Sequence, residues 1–318
     1  MHIEEIQSIA GTIRENVGKV IVGQDHAVDL LIVSLLSEGH LLLEGVPGVA
    51  KTLLAQTFSS TVALEFNRIQ FTPDLMPGDV LGTNIYSFED GQFHLTKGPV
   101  FTDILLADEV NRTPPKTQAA LLQAMHEREV SIDGTSYDLG AGFMVIATQN
   151  PIEHQGTYPL PEAQLDRFLF KLVLDYPDRD DEREIVARHG SRAVMPSVDG
   201  FELEKACDLA TIQDMRTTIA GLRMADEVLD YIVDIVRATR THPSIRIGAS
   251  PRSGAMMARA SRAVAALDGR DYVLPDDVKS IAVPVFAHRL GLTPTAEIEG
   301  QQVATVIGQI IEQVSVPR

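Results

Sequence analysis

The chain has 318 residues, 44% of them hydrophobic, which suffices for two domains, each with its own core. Its only cysteine, Cys207, excludes disulfides and cysteine-based zinc sites, and its nine histidines are scattered without a pair at ligand spacing. A net charge of −17 leaves little cationic surface to neutralise a phosphate backbone, so nucleic acid is disfavoured as a partner.

In chain order, Ile3, Ile6, Ala10, Ile13 and Val17 share one stripe of a first helix over 3–20. Val20 to Gln24 then leads into a second apolar helix around 25–37. The apolar run Leu41–Leu43 predicts a strand, and Gly45-Val46-Pro47-Gly48-Val49-Ala50-Lys51-Thr52 follows it, with Leu53 next. A strand, a glycine turn and a Lys-Thr pair opening a helix make a phosphate-binding loop. Its backbone N–H groups cradle an anion, Lys51 reaches the terminal phosphates and the Thr52 hydroxyl holds Mg²⁺. Ala50 stands where glycine is usual; alanine is poor there only if the residue needs φ > 0, which a helix entrance is not expected to require.

A strand near 66–71 precedes a predicted hairpin, Asn84–Phe88 and Gln92–Leu95 around Asp90-Gly91. The apolar strand at 103–107 ends in Asp108-Glu109, and ligands sit at the carboxyl ends of such strands. Asp108 is placed to bind Mg²⁺, and Glu109 to polarise the water that attacks a γ-phosphate. A second hairpin, Glu129–Ile132 and Thr135–Leu139, turns at Asp133-Gly134. The strand at 143–148 ends near Asn150, which is placed to hydrogen-bond the γ-phosphate and the attacking water. Arg167 precedes a last strand at 169–174, where an arginine at a subunit edge can reach a neighbour's γ-phosphate, unless it simply pairs with Asp166.

After Tyr176-Pro177 the strands are expected to stop. Gly190–Pro196 reads as a linker, and the rest as helices. Among these, Val228, Leu229, Ile232, Ile235 and Val236 form one stripe, and Ser250-Pro251 starts a helix. Alternating strands and helices argue a parallel sheet covered on both faces. The expected organisation is an α/β nucleotide-binding core over 1–188, carrying two inserted hairpins, and a smaller all-α lid over 189–318. Acidic residues concentrate in the first part: residues 1–180 hold 25 acidic and 11 basic side chains, against 19 and 16 beyond. With no run of 18 apolar residues and no basic start leading into an apolar core, a cytoplasmic protein without direct membrane insertion is expected.

These segments resemble the AAA+ ATPases, and among them the MoxR family. Gly45–Thr52, the run Leu105 to Gln118, Ala147–Pro151 and Leu160–Phe168 carry the likeness, which spans nearly the whole chain. It implies a P-loop AAA+ core with a five-stranded parallel sheet, Asp108 and Glu109 as the Walker B pair, Asn150 as sensor one and Arg167 as the trans-acting finger. It further implies Arg252 as a sensor-two arginine reaching the nucleotide from the lid, and Val22 and Gly23 lining the base pocket. The hairpins correspond to the inserts of the branch that includes magnesium chelatase. ATP and Mg²⁺ are the implied cofactors, and a homo-oligomer, often a hexameric ring, is the implied assembly. The implied role is chaperone-like, toward clients with a von Willebrand factor A domain. A magnesium-chelatase-type motor subunit and a non-hydrolysing nucleotide-gated scaffold stay open as alternatives. Glu109 and Arg167 together argue for hydrolysis.

Overall fold

The computed structural model describes residues 1–46, 48–151, 156–190 and 198–317. Pro47 and most of the expected linker, 191–196, lie outside the described residues. Two helices, α1 (Ile3–Gly18) and α2 (Asp25–Leu36), lead into β1 (Leu41–Gly45) and α3 (Lys51–Thr61). Next come β2 (Val62–Ala63), β3 (Phe66–Gln70), α4 (Pro77–Leu81) and the hairpin of β4 (Gly82–Ser87) and β5 (Gln92–Lys97). Then β6 (Ile104–Asp108), α5 (Pro115–Glu127), the hairpin of β7 (Glu129–Ile132) and β8 (Thr135–Asp138), and β9 (Met144–Gln149) follow. The core closes with α6 (Glu162–Leu165), β10 (Phe170–Leu174) and α7 (Arg179–His189).

The main sheet has the order β10-β1-β9-β6-β3, with every pairing parallel. Because side chains alternate along a strand, its two faces enter different cores. Leu41, Leu43, Ile104, Leu106, Met144 and Ile146 join one cluster with α1, α2 and α3. Leu42, Leu105, Ala107, Val145 and Ala147 join the other, under α5 and the second hairpin. The hairpins touch each other, since Asn84 Nδ2 donates to Asp133 Oδ2 at 2.7 Å.

Beyond the core lie β11 (Cys207–Asp208), α8 (Leu209–Ala220), α9 (Asp226–Thr241), β12 (Ile245–Ile247) and α10 (Pro251–Leu267). They are followed by α11 (Pro275–Phe286), β13 (Gly291–Leu292), α12 (Pro294–Ile298) and α13 (Val303–Gln313). Ser250 caps α10 through its side chain, as the Ser-Pro pair predicts. The expectation that strands stop after Tyr176 is corrected in two places. The segment β11 pairs in parallel with β2 of the core, and β12 pairs with β13. Segments of two or three residues carry too little hydrophobic pattern to be read from sequence.

The helical part shares its hydrophobic cluster with the core: Ile212 and Met215 of α8, Met257 and Ala260 of α10 and Ile281 of α11 pack in one contiguous group with Ile6, Leu31 and Phe58. Among the described residues no helix is long and apolar enough to cross a membrane.

Candidate nucleotide site

Three strand ends meet at the carboxyl edge of the sheet, because β9 lies between β1 and β6. Gly45, Asp108 and Asn150 are therefore neighbours by topology. Gly45 is required by close approach, since a Cβ there would stand 2.6 Å from the carbonyl of Leu174 on β10. Gly48 turns the loop at φ +93°. Ala50 also sits in the left-handed region, at φ +58°, which corrects the expectation that this helix entrance requires no positive angle. The loop closes onto α3 through this one residue, and an alanine there costs roughly 1–2 kcal/mol of backbone strain. Val49 is buried and anchors the loop, while Val46 and Leu53 are half-buried.

Lys51 folds over the loop mouth. Its ammonium donates to the carbonyl of Gly45 and, at 3.3 Å, to that of Gln149. Thr52 Oγ1 donates to Asp108 Oδ2 at 3.1 Å, so the two residues expected to hold a metal stand side by side. Asp108 is buried and tightly partnered: Thr148 Oγ1 donates to its Oδ1 at 2.6 Å, and Arg68 Nη2 to its Oδ2 at 2.8 Å. One carboxylate and one hydroxyl, both hard oxygens facing a phosphate loop, fit Mg²⁺, which takes few protein ligands and completes its shell with water and phosphate.

Glu109 also adopts a left-handed conformation, φ +57°, with its N–H on Thr148 Oγ1 at 2.9 Å. Its carboxylate accepts from Gln70 Nε2 at 2.5 Å and forms an ion pair with Arg112, whose Nε lies 3.1 Å away. Asn150 is buried at the tip following β9, and its carbonyl accepts from Asn111 Nδ2 at 3.2 Å. Val22 is half-buried. Gly23, at φ +73°, lies under the first turn of α7, where an added Cβ would strike Asp181.

Arg167 and Arg252 are not at this edge. Arg167 lies just before β10, at the amino end of the sheet, and Asp166 pairs with Arg289 at 2.6 Å rather than with Arg167. Arg252 is exposed in the first turn of α10 and lies close enough to His40 and Arg289 to disfavour their protonated forms. His40 immediately precedes β1, whose far end carries the phosphate loop, about 15 Å of strand away. Arg252 therefore stands toward the amino end of β1, away from the phosphate loop of its own chain. The lid packs on α1 and α2, at the amino end of β1, and carries α10 with it.

Sequence reasoning missed Arg68, Gln70, Arg112 and Thr148. The register pairs Gln70 with Asp108, so Arg68 and Gln70, two apart on β3, flank the Asp-Glu pair from the neighbouring strand. Polar residues at i and i+2 near the carboxyl end of a sheet strand were the available signal.

A phosphate loop, an Asp-Glu pair on the adjoining strand tips and a five-stranded parallel sheet with an appended helical lid define an AAA+ ATPase. Residues 40–170 match the family described as "ATPase family associated with various cellular activities (AAA)", and residues 237–310 match the AAA lid domain. The chain is 44% identical to Chaperone MoxR1 of Mycobacterium tuberculosis, covering 99% of this chain and 84% of that one. It is 31% identical to Protein MoxR of Methylorubrum extorquens, covering 97% and 95%. The crystal structure of a putative ATPase from Cytophaga hutchinsonii superposes with a TM-score of 0.89 at 40% identity, over 99% of this chain and 98% of that one. The chain belongs to the MoxR family of AAA+ ATPases.

Proposed function

We propose that this protein hydrolyses ATP with Mg²⁺ at sites shared between neighbouring subunits of a ring, and uses the cycle to remodel or activate partner proteins carrying a von Willebrand factor A domain. One observation supports the shared site: Arg167 lies just before β10, at the end of the sheet opposite the phosphate loop, and Arg252 of the lid lies near His40 at that same end. Head-to-tail stacking is the arrangement that brings one subunit's arginines to the next subunit's phosphates, and repeating it closes a ring.

Within such a site each residue has a defined task. Loop N–H groups and Lys51 bind the phosphates, releasing the lysine from the carbonyls it now caps. Bound Mg²⁺ supplies charge neutralisation on the phosphate oxygens, held by Thr52 and Asp108. Glu109 takes a proton from the attacking water, Asn150 orients that water, and the neighbour's Arg167 and Arg252 stabilise charge on the transferred group. The client role rests on family membership and on the Mycobacterium tuberculosis relative, which is named a chaperone. The joined hairpins supply a fitting surface, since Tyr86, Phe88 and Phe93 stack edge to face at the first tip and Phe88 is 93% exposed.

Phosphate release in Mg²⁺ and in excess chelator tests the chemistry. Lys51→Ala should lose ATP binding, whereas Glu109→Gln should bind ATP and fail to hydrolyse it. Equal loss of binding in both variants, by calorimetry, would contradict these roles. A von Willebrand factor A protein encoded beside this gene should alter the turnover rate. A rate indifferent to that protein, with no complex formed, would remove the client assignment and leave the ATPase intact.

A further inference from the structure

Where α2 ends against the lid, basic groups outnumber their acidic partners. Arg259 Nη2 lies 3.1 Å and Arg216 Nη1 3.6 Å from the Glu38 carboxylate. Arg262 donates only to the carbonyls of Leu222 and Ala258. From the core side, Arg128 Nη2 donates to the Glu38 carbonyl at 2.8 Å. Burial pushes the Arg216 guanidinium down to about 10; Glu38 opposes that shift, while Arg128 and Arg259 add to it.

Part of this arrangement is structural. Arg216 donates to the Leu35 carbonyl and Arg259 to that of Ser37, satisfying the free end of α2 and fastening the lid to it. That role accounts neither for the excess charge nor for two buried groups left over. Ser37 is 6% exposed and lines the cleft, yet its Oγ has no hydrogen-bond partner. Arg128 Nη1 is likewise buried without one. An unsatisfied buried donor beside guanidiniums that outnumber their carboxylates is a place where a polar ligand or an ordered water fits.

We propose that this cleft is an anion site, separate from the phosphate loop, that takes a phosphorylated small molecule. Guanidinium forks match phosphate oxygens in pairs, and Arg259 and Arg262 retain donors for them. The cleft holds about 580 Å³, larger than a single phosphate needs and within the range of small-molecule sites. Leu36 and Ile219 give it an apolar wall for the organic part of the ligand. A ligand there spans Ser37 of the core and Arg259 and Arg262 of the lid, at the end of β1 opposite Gly45.

Calorimetry with inorganic pyrophosphate on the full-length chain carrying Lys51→Ala tests the site without competition from the phosphate loop. One pyrophosphate should bind per chain. Adding Arg259→Gln or Arg262→Gln should weaken it roughly tenfold, the effect of losing one charge-assisted hydrogen bond. Glu38→Gln removes the carboxylate that lines the cleft and should tighten binding, a sign that a purely structural cluster would not give. Arg259→Lys keeps the charge and should retain binding within a few-fold, in case the glutamine variant fails to fold. No pyrophosphate uptake, or uptake indifferent to both Arg259→Gln and Glu38→Gln, overturns the proposal. So does displacement by hexaglutamate peptide at concentrations below those at which pyrophosphate binds, which would assign the cleft to an acidic partner segment.

Discussion

Gln70 holds Glu109 across two parallel strands, its Nε2 2.5 Å from the Glu109 Oε2. Arg112 grips the same oxygen at 3.1 Å from the following turn. Both contacts fall on Oε2 and tether the carboxylate assigned to the attacking water, limiting how far it can turn toward that water.

Removing Gln70 tests this restraint. A hydrogen bond to a charged group contributes about 1.5–3 kcal/mol, so Gln70→Ala should raise basal turnover by about tenfold to a hundredfold. Nucleotide affinity should be unchanged, because Gln70 bonds the carboxylate and not the loop. Steady-state phosphate release at saturating ATP is the measurement, and a fall in kcat would make Gln70 an orienting partner instead.

The position of Arg252 changes what its removal should do. Arg252→Ala and Arg167→Ala should both bind ATP and both lose hydrolysis, by roughly 10³-fold if they act as arginine fingers do. Each should be partly rescued by mixing with Lys51→Ala subunits, since intact half-sites then meet at shared interfaces. Absence of rescue at every ratio, with co-assembly demonstrated by sedimentation, would mean that the arginine concerned acts within its own subunit.

Ala50 offers a test on stability. Glycine adopts φ +58° without strain, which recovers roughly 1–2 kcal/mol in the folded state and returns about 0.4–1 kcal/mol as unfolded-chain entropy. Ala50→Gly should therefore melt slightly higher without nucleotide. Its loop, less fixed in shape, should bind ATP no better than the parent. A lower melting temperature would show that the loop relaxes around the alanine methyl at no cost.

A buried histidine sets an acid limit. His40 accepts from the Val145 N–H at 2.9 Å through Nδ1, and its Nε2 lies 2.9 Å from the Met125 carbonyl, a pattern that suits the neutral ring. Burial is the main cause that lowers its pKa from 6.5 to about 4, with Arg128 and Arg252 adding to the shift. The unfolded chain then takes up the proton first as pH falls. The stabilisation is complete above about pH 6.5 and drains away toward pH 4, amounting to about 2 kcal/mol lost at pH 5. Urea midpoints at pH 7 and pH 5 should fall by less in His40→Gln than in the parent. An identical drop in both would assign acid sensitivity to other groups.

The nucleotide edge was legible in the sequence because its parts are local. Loop, strand tips and hairpin turns are each encoded within about ten residues, and the strands at 41–45, 104–108 and 144–149 fell where apolar runs placed them. The grip of Arg68 and Gln70 on the Asp-Glu pair was not legible, since it depends on which strand lies beside β6. The left-handed turn at Ala50 escaped because its residue type argues against it; the loop closure overrides local preference. The place of Arg252 was not legible for a third reason. Its helix start is plain from Ser250-Pro251, yet nothing local says which end of the core the lid packs against. That is decided by the hydrophobic cluster joining α8 and α10 to α1 and α2.

The small pairing of β2 with β11 makes α3 a connecting rod. At one end Lys51 closes the phosphate loop; at the other, the chain enters β2, and the Thr61 carbonyl accepts from the Ala206 N–H at 2.7 Å. Asp208 of β11 caps α8 directly, so no slack separates the rod from the first lid helix. Eleven residues of helix span about 16 Å. Any displacement of α3 along its axis would be passed through this pairing to the root of α8, with no flexible segment between them.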